Sequence, residues 1–169
     1  MNPLWDYLWP AFSAGLLAGA VGGIVGFRRK RLAIPLVVAA LLALGAAALW
    51  HGPLGAADRF TTVVERDARD ALKDLEMTRV AAALHRGPLS RRLILTKPAD
   101  LALDDFQTSE IARLMGQVPG VSRATWSKTD FGLPLLLEGA IAALGGFLVG
   151  LLLAYLLELH RRYNAQWKW

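Results

Sequence analysis

Three long apolar blocks constrain this chain more than any motif does. A helix that crosses the hydrocarbon core of a bilayer needs about 20 predominantly apolar residues. Ala11 to Phe27 is one such block, free of charged side chains and closed by Arg28, Arg29, Lys30 and Arg31. Leu32 to Trp50 is a second, also uncharged, with Pro35 early enough that its missing N–H falls in the first turn. Residues 133–158 make the third, interrupted by Glu138 and followed by His160, Arg161 and Arg162. The chain is 54% hydrophobic, above the roughly 45–50% of soluble domains, and its mean hydropathy is +0.36. Block-wise clustering at that level predicts a membrane α-helical protein with three transmembrane helices.

The flanks of the blocks predict how they are oriented. Residues 1–10 carry Asp6 but no Lys or Arg, so the first block lacks the positive leader of a signal peptide and reads as a retained span. Trp5, Tyr7 and Trp9 suit an interfacial aromatic belt, as do Trp50, Trp167 and Trp169 at other span ends. Basic residues gather at 28–31 and again at Arg161, Arg162 and Lys168. The positive-inside rule puts both groups in the cytoplasm. The predicted order is then an external flank (1–10), a span (11–27), a cytoplasmic basic turn (28–31) and a second span (32–50). An external segment (51–131), a third span (133–158) and a cytoplasmic tail (159–169) follow. The net charge of +5 has the same origin, because the 51–131 segment is nearly balanced, with 12 basic and 11 acidic residues. Arg28, Arg29, Lys30, Arg31, Arg161 and Arg162 are therefore read as orientation signals in contact with membrane lipids, and no nucleic-acid partner is expected.

Glycine patterns the interior of the spans. Gly15, Gly19 and Gly23 recur every fourth residue, with Gly22 and Gly26 on an adjacent stripe, and Gly146 and Gly150 repeat the spacing in the third span beside Gly139 and Gly145. Residues four apart share a helix face, and without side chains there two backbones can approach closely. Gly15, Gly19, Gly23, Gly146 and Gly150 are read as helix-packing positions. They serve either a partner helix or second copy, or spans one and three against each other. The run from Gly19 to Gly26 is no phosphate loop, since it lies inside an apolar helix with no strand before it. Glu138 is an intramembrane polar residue: an interfacial carboxylate, or alternatively a proton-relay group.

Between spans two and three lies a segment of another character. From Asp58, apolar residues at i, i+3, i+4 spacing (Phe60, Val63, Val64, Ala68, Ala71, Leu72 and Leu75) continue in shifted phase through Met77, Val80, Ala81 and Leu84. They predict a long amphipathic helix, or two joined near Glu76, ending at Gly87-Pro88. Residues 91–96 read as a strand. Asp104, with Gln107 three residues on, predicts a capping box for a second helix whose buried stripe is Ile111, Leu114, Met115 and Val118. Pro119-Gly120 stops that helix, and residues 121–126 read as a second strand.

The segments Leu93-Ile94-Leu95-Thr96, Ile111-Ala112-Arg113-Leu114 and Val118-Pro119-Gly120-Val121, in that order, resemble the BON domain, a small α/β module of bacterial envelope proteins. The likeness covers about residues 70–126. It implies a small α/β (BON-like) extramembrane domain, periplasmic, binding phospholipid surfaces or other proteins without catalysis, in a multi-pass protein of the bacterial inner membrane.

Chemistry-bearing constellations are scarce. The chain has no Cys, which excludes disulfides, thiolate metal sites and a thiol nucleophile. No two of His51, His85 and His160 have helical metal-ligand spacing, and Asp67, Asp70 and Asp74 alternate with Arg66, Arg69 and Lys73 as a solvated ion-paired face does. No catalytic residue, cofactor or metal ligand is expected. The chain reads as a non-enzymatic structural or accessory membrane protein. Its expected partners are membrane lipids and other membrane or periplasmic proteins, as a complex subunit or a homo-oligomer. Two alternatives are an accessory subunit of a large respiratory or photosynthetic complex, and a small proton-linked transporter or channel using Glu138.

Overall fold

The computed structural model describes residues 2–29, 32–127 and 132–166. In chain order these form helices α1 (Pro3–Arg29), α2 (Ala33–His51) and α3 (Ala56–Asp74), strands β1 (Ala81–Arg86) and β2 (Leu89–Thr96), helix α4 (Asp105–Met115), strand β3 (Arg123–Thr125) and helix α5 (Leu135–Gln166). They divide into two compact units. One comprises Tyr7–Gly55 and Glu138–Trp169, the other Met1–Asp6 and Ala56–Leu137.

α1, α2 and α5 are each long and apolar enough to cross a membrane, the mark of a multi-pass membrane protein. α1 starts cleanly, because the Asn2 side chain accepts from Leu4 N–H at 3.1 Å and Pro3 takes the first helical position, where no N–H is needed. The expected flank at 1–10 is thus the opening of the helix, and Trp5 and Trp9 stand exposed on it. The expected tail is helical as well, since α5 continues past residue 158 to Gln166. At 1.5 Å per residue its 32 residues extend about 48 Å, longer than the hydrocarbon core of a bilayer. Arg28 and Arg29 close α1, whereas Lys30, Arg31 and Lys168 lie outside the described residues.

The helical unit is small inside and bulky outside. α2 buries only Ala39, Ala43 and Ala47, while Ile34, Val37, Val38, Leu41, Leu42 and Leu49 face outward. Ala11, Ala47 and Ala143, one from each helix, form a buried cluster beside Trp50. A bundle in water would invert this arrangement. In lipid, large apolar side chains cost nothing on the outside, and small ones inside let helices touch.

The second unit is an α/β module. α3 buries Phe60, Thr61, Val64, Ala68 and Leu72 along one stripe, against strand and helix residues that include Leu84, Leu93, Leu95, Ile111 and Met115. β1 and β2 pair antiparallel, with Ala83 opposite Ile94 and Leu84 opposite Leu93, and a bulge before Arg86 pairs with Leu89. β2 and β3 pair parallel, with Leu93 beside Ala124, and α4 supplies the crossover. The sheet order is β1-β2-β3.

The expected helical stretch from Asp58 to Gly87-Pro88, as one helix or as two joined near Glu76, is wrong in its second half. α3 stops at Asp74, and residues 81–86 are a strand. The stop is a two-bond cap: Met77 N–H bonds to Leu72 C=O at 2.8 Å and Glu76 N–H to Lys73 C=O at 2.9 Å, with Glu76 at φ 59°. This is the motif that usually announces itself with glycine or asparagine. The other expected elements stand, with shifted ends. The second strand begins at Leu89, the third is only Arg123–Thr125, and Leu114 is half-buried where its stripe neighbours are buried. Asp104 and Gln107 form the capping box, with Gln107 N–H reaching Asp104 Oδ1 at 2.6 Å and Asp104 N–H reaching Gln107 Oε1 at 3.1 Å.

Candidate functional site

In the helical unit the glycines bring α1 and α5 into backbone contact. A Cβ placed on Gly15 would stand 1.9 Å from the Ala143 carbonyl oxygen, and one on Gly19 2.0 Å from that of Phe147. From the other side, a Cβ on Gly146 would meet the Phe12 carbonyl oxygen at 2.0 Å and one on Gly150 that of Leu16 at 2.0 Å. Gly23 packs on Ala154 and Leu151 of α5, while Gly22 on the neighbouring stripe faces Ala39 and Pro35 of α2. All five expected packing glycines are therefore engaged within the chain. Of the two readings of these faces, spans one and three meet each other, and the adjacent stripe receives span two.

A polar cluster ties the three helices at one end. Tyr7 of α1 is 3% exposed, its hydroxyl lies 2.7 Å from His51 Nδ1 of α2, and the two rings are edge-on, with centroids 6.0 Å apart. Trp50 donates its indole N–H to the Tyr7 carbonyl at 2.8 Å. The Tyr7 hydroxyl lies over Gly139 of α5, where an added Cβ would come within 3.0 Å of it. Glu138 is half-buried in the first turn of α5, close enough to act on Tyr7 electrostatically. From the sequence, Glu138 stands alone inside its span, Tyr7 belongs to an aromatic belt and His51 has no partner at readable spacing. Their meeting spans 44 positions, and no local spacing announces it.

At the other end of α5, Glu158 pairs with Arg161 at 3.1 Å and Arg162 at 3.0 Å, both one helical turn on. These two expected orientation residues thus hold their charge against one carboxylate.

The α/β module holds the least expected site. Along β2, Ser90 and Arg92 lie on the face opposite Leu93 and Leu95, and they too are buried, at 1% and 3% exposed. Arg92 Nη2 donates to the Ser127 carbonyl at 2.7 Å. Its Nε and Nη1, and Ser90 Oγ, are buried with no hydrogen-bond partner. Ser90 also bridges to Pro134, the residue before α5, and an added Cβ on Gly132 would stand 2.9 Å from Ser90 Oγ. Nothing in the sequence separates Arg92 from its neighbour Arg91. Alternation along β2 sets Arg91 on the face of Leu93 and Leu95 and Arg92 on the other, where Gly132 packs against Ser90 and the Arg92 Cβ.

Elsewhere in the module several charges are paired. Glu65 accepts from Arg86 at 3.2 Å and from the Leu84 N–H at 3.0 Å, tying α3 to the bulged strand. Arg79 pairs with Asp100, and Arg113 with Glu110 at 2.5 Å. Arg113 holds the Glu110 carboxyl below the usual carboxylate range through that hydrogen bond, and its own pKa is raised by the same contact. On α4, Phe106 is 76% exposed, an apolar ring left in solvent. Among the described residues no three His, Asp or Glu side chains converge to hold a metal ion. No family model, curated protein or solved structure matches the chain.

Proposed function

We propose that this is a non-enzymatic membrane protein in which three spans anchor an α/β module on the external face of a bacterial inner membrane, where the module binds envelope proteins or lipid headgroups. The observation that carries the reading is the closed α1–α5 seam, in which backbone meets backbone at Gly15, Gly19, Gly146 and Gly150. A bundle filled with its own main chain and alanine suits an anchor, and it moves the working surface to the module. Orientation follows from the basic residues at 28–31, 161 and 162. The BON-like reading is supported by the element order α3-β1-β2-α4-β3, in which β1 supplies the strand ahead of the Leu-Ile-Leu-Thr segment. Exposed Phe106 and the short edge strand β3 suit contact with a partner.

Because the chain has no native Cys, labelling is clean. In intact cells, His85→Cys and Asp105→Cys should react with an impermeant maleimide, and Lys30→Cys only after permeabilisation. The reverse pattern would turn the molecule over and sink the reading. Purification at native level in mild detergent should bring along a stoichiometric protein or a retained lipid. A chain that travels with neither is no accessory element.

A further inference from the structure

Arg92 is the one described side chain of the module with a buried charge and no counter-charge. Arginine stays protonated at any pH a protein meets, and a buried ion without a partner costs several kcal/mol. Four of the module's carboxylates are paired with other cations: Glu65 with Arg86, Asp67 with Arg66, Asp100 with Arg79 and Glu110 with Arg113. What Arg92 receives is one neutral carbonyl, from Ser127, an exposed residue, so the guanidinium lies close beneath the surface. The hydroxyl of Ser90, two positions away on the same face of β2, is equally without an acceptor. Two guanidinium nitrogens and a hydroxyl, all buried and all able to donate, describe the complement of one oxyanion.

We propose that Ser90 and Arg92 form a binding site for a single phosphate ester group, accepting from Arg92 Nε and Nη1 and from Ser90 Oγ. The site's place in the chain favours a phospholipid headgroup as the source. Ser90 pairs with Pro134, and α5 begins at the next residue. Pro134 is the second residue of the apolar stretch 133–158, in which Glu138 is the one charge before Glu158. Ser90 is thereby tied to the very start of that stretch, the level at which a span meets the headgroup layer. The assignment deepens the lipid arm of the proposed function and rests on that reading.

The test uses the full chain in a maltoside detergent, which carries no phosphate, and reads thermal stability together with lipid retained in native mass spectrometry. Phosphatidylglycerol should raise the melting temperature and stay bound, while diacylglycerol, which has the same chains and no phosphate, should do neither. Inorganic phosphate in a parallel titration separates the sources. A shift with phosphate at least as large as with phosphatidylglycerol identifies a soluble ester as the ligand, and the oxyanion chemistry stands. Ser90→Ala should weaken phosphatidylglycerol binding and Arg92→Met abolish it, a loss of about tenfold or more. Arg92→Met should also melt higher than the parent in lipid-free detergent, because it removes an unmatched buried charge. An arginine that merely braces Ser127 predicts a lower melting temperature. Equal binding by parent and Arg92→Met, or binding by neither, overturns the proposal. Failure here with a stoichiometric protein partner still attached would leave the accessory reading intact. Inverted labelling would sink the orientation without touching the phosphate site.

Discussion

The two units of this chain are held together by different atoms. In the helical unit the buried positions are mostly Ala11, Ala39, Ala43, Ala47, Ala143 and Ala154 with the seam glycines, Tyr7 and Phe147 being the large exceptions, so cohesion comes chiefly from main-chain surfaces in contact. In the α/β module the buried positions are Phe60, Val64, Leu72, Leu93, Leu95, Ile111 and Met115, an apolar side-chain core. The solvent explains the contrast. Lipid gives no reward for hiding a leucine, so helices in it associate where they fit closest. Water rewards burial at roughly 25 cal/mol per Å², so the module spends its large residues inside. The same substitution should therefore have opposite consequences in the two halves: adding atoms breaks the bundle, and removing atoms breaks the module.

The largest expected effect is in the seam. Gly19→Leu sets a side chain against the Phe147 backbone, which cannot turn aside as a flexible side chain does. The cost should exceed the roughly 1–3 kcal/mol of ordinary overpacking. The variant should insert in the membrane and lose the bundle, read as protease sensitivity or loss of a monodisperse peak in detergent. Gly45 of α2 is the control, since a Cβ there meets nothing within 4 Å. Gly45→Ala should be neutral or slightly stabilising, as for an unconstrained helical glycine. If Gly45→Ala and Gly19→Leu behave alike, backbone contact is not what holds the helices.

Leu93→Ala tests the other half. Leu93 is 0% exposed at the centre of β2, and truncation there should cost roughly 2–5 kcal/mol. The loss should appear as a lowered unfolding midpoint of the module and leave the Gly19-dependent behaviour of the bundle unchanged. A tolerated Leu93→Ala would mean that the module, too, relies on something other than its side-chain core.

How much could be read in advance follows the same division. The spans are legible because length and the absence of charge are local properties, and so is the glycine period. Which helix each stripe meets is not local, and the Tyr7–His51 contact depends on that choice. In the module, the capping box at Asp104 and Gln107 and the stripe of α4 were readable, because capping chemistry and helical period are written in adjacent residues. β1 was not. Ala81-Ala82-Ala83-Leu84 has the composition of a helix, and Glu76 occupies a left-handed position that normally calls for glycine. What makes it a strand is pairing with β2, whose Leu93 and Ile94 lie opposite Leu84 and Ala83. Arg92 and Ser90 are illegible for a related reason, since alternation sets them away from Leu93 and Leu95 and nothing local shows that this second face is covered.

Two smaller effects refine the comparison within α4. Asp104→Ala removes the side chain that accepts from Gln107 N–H and should cost about 1 kcal/mol of module stability. Glu110→Gln should cost less than that, because the pair with Arg113 is solvent-exposed and salt screens it. Its signature is the dependence on pH. The Arg113 hydrogen bond holds the folded-state pKa of Glu110 below its unfolded value. The carboxylate therefore contributes stability above the unfolded pKa and loses it as pH falls through the lowered folded value. The difference in melting temperature between parent and Glu110→Gln should be largest near neutral pH and close toward zero on acidification. A difference that persists after Glu110 is protonated would assign the effect to packing on α4, and surface charge would then play no part in how the module holds together.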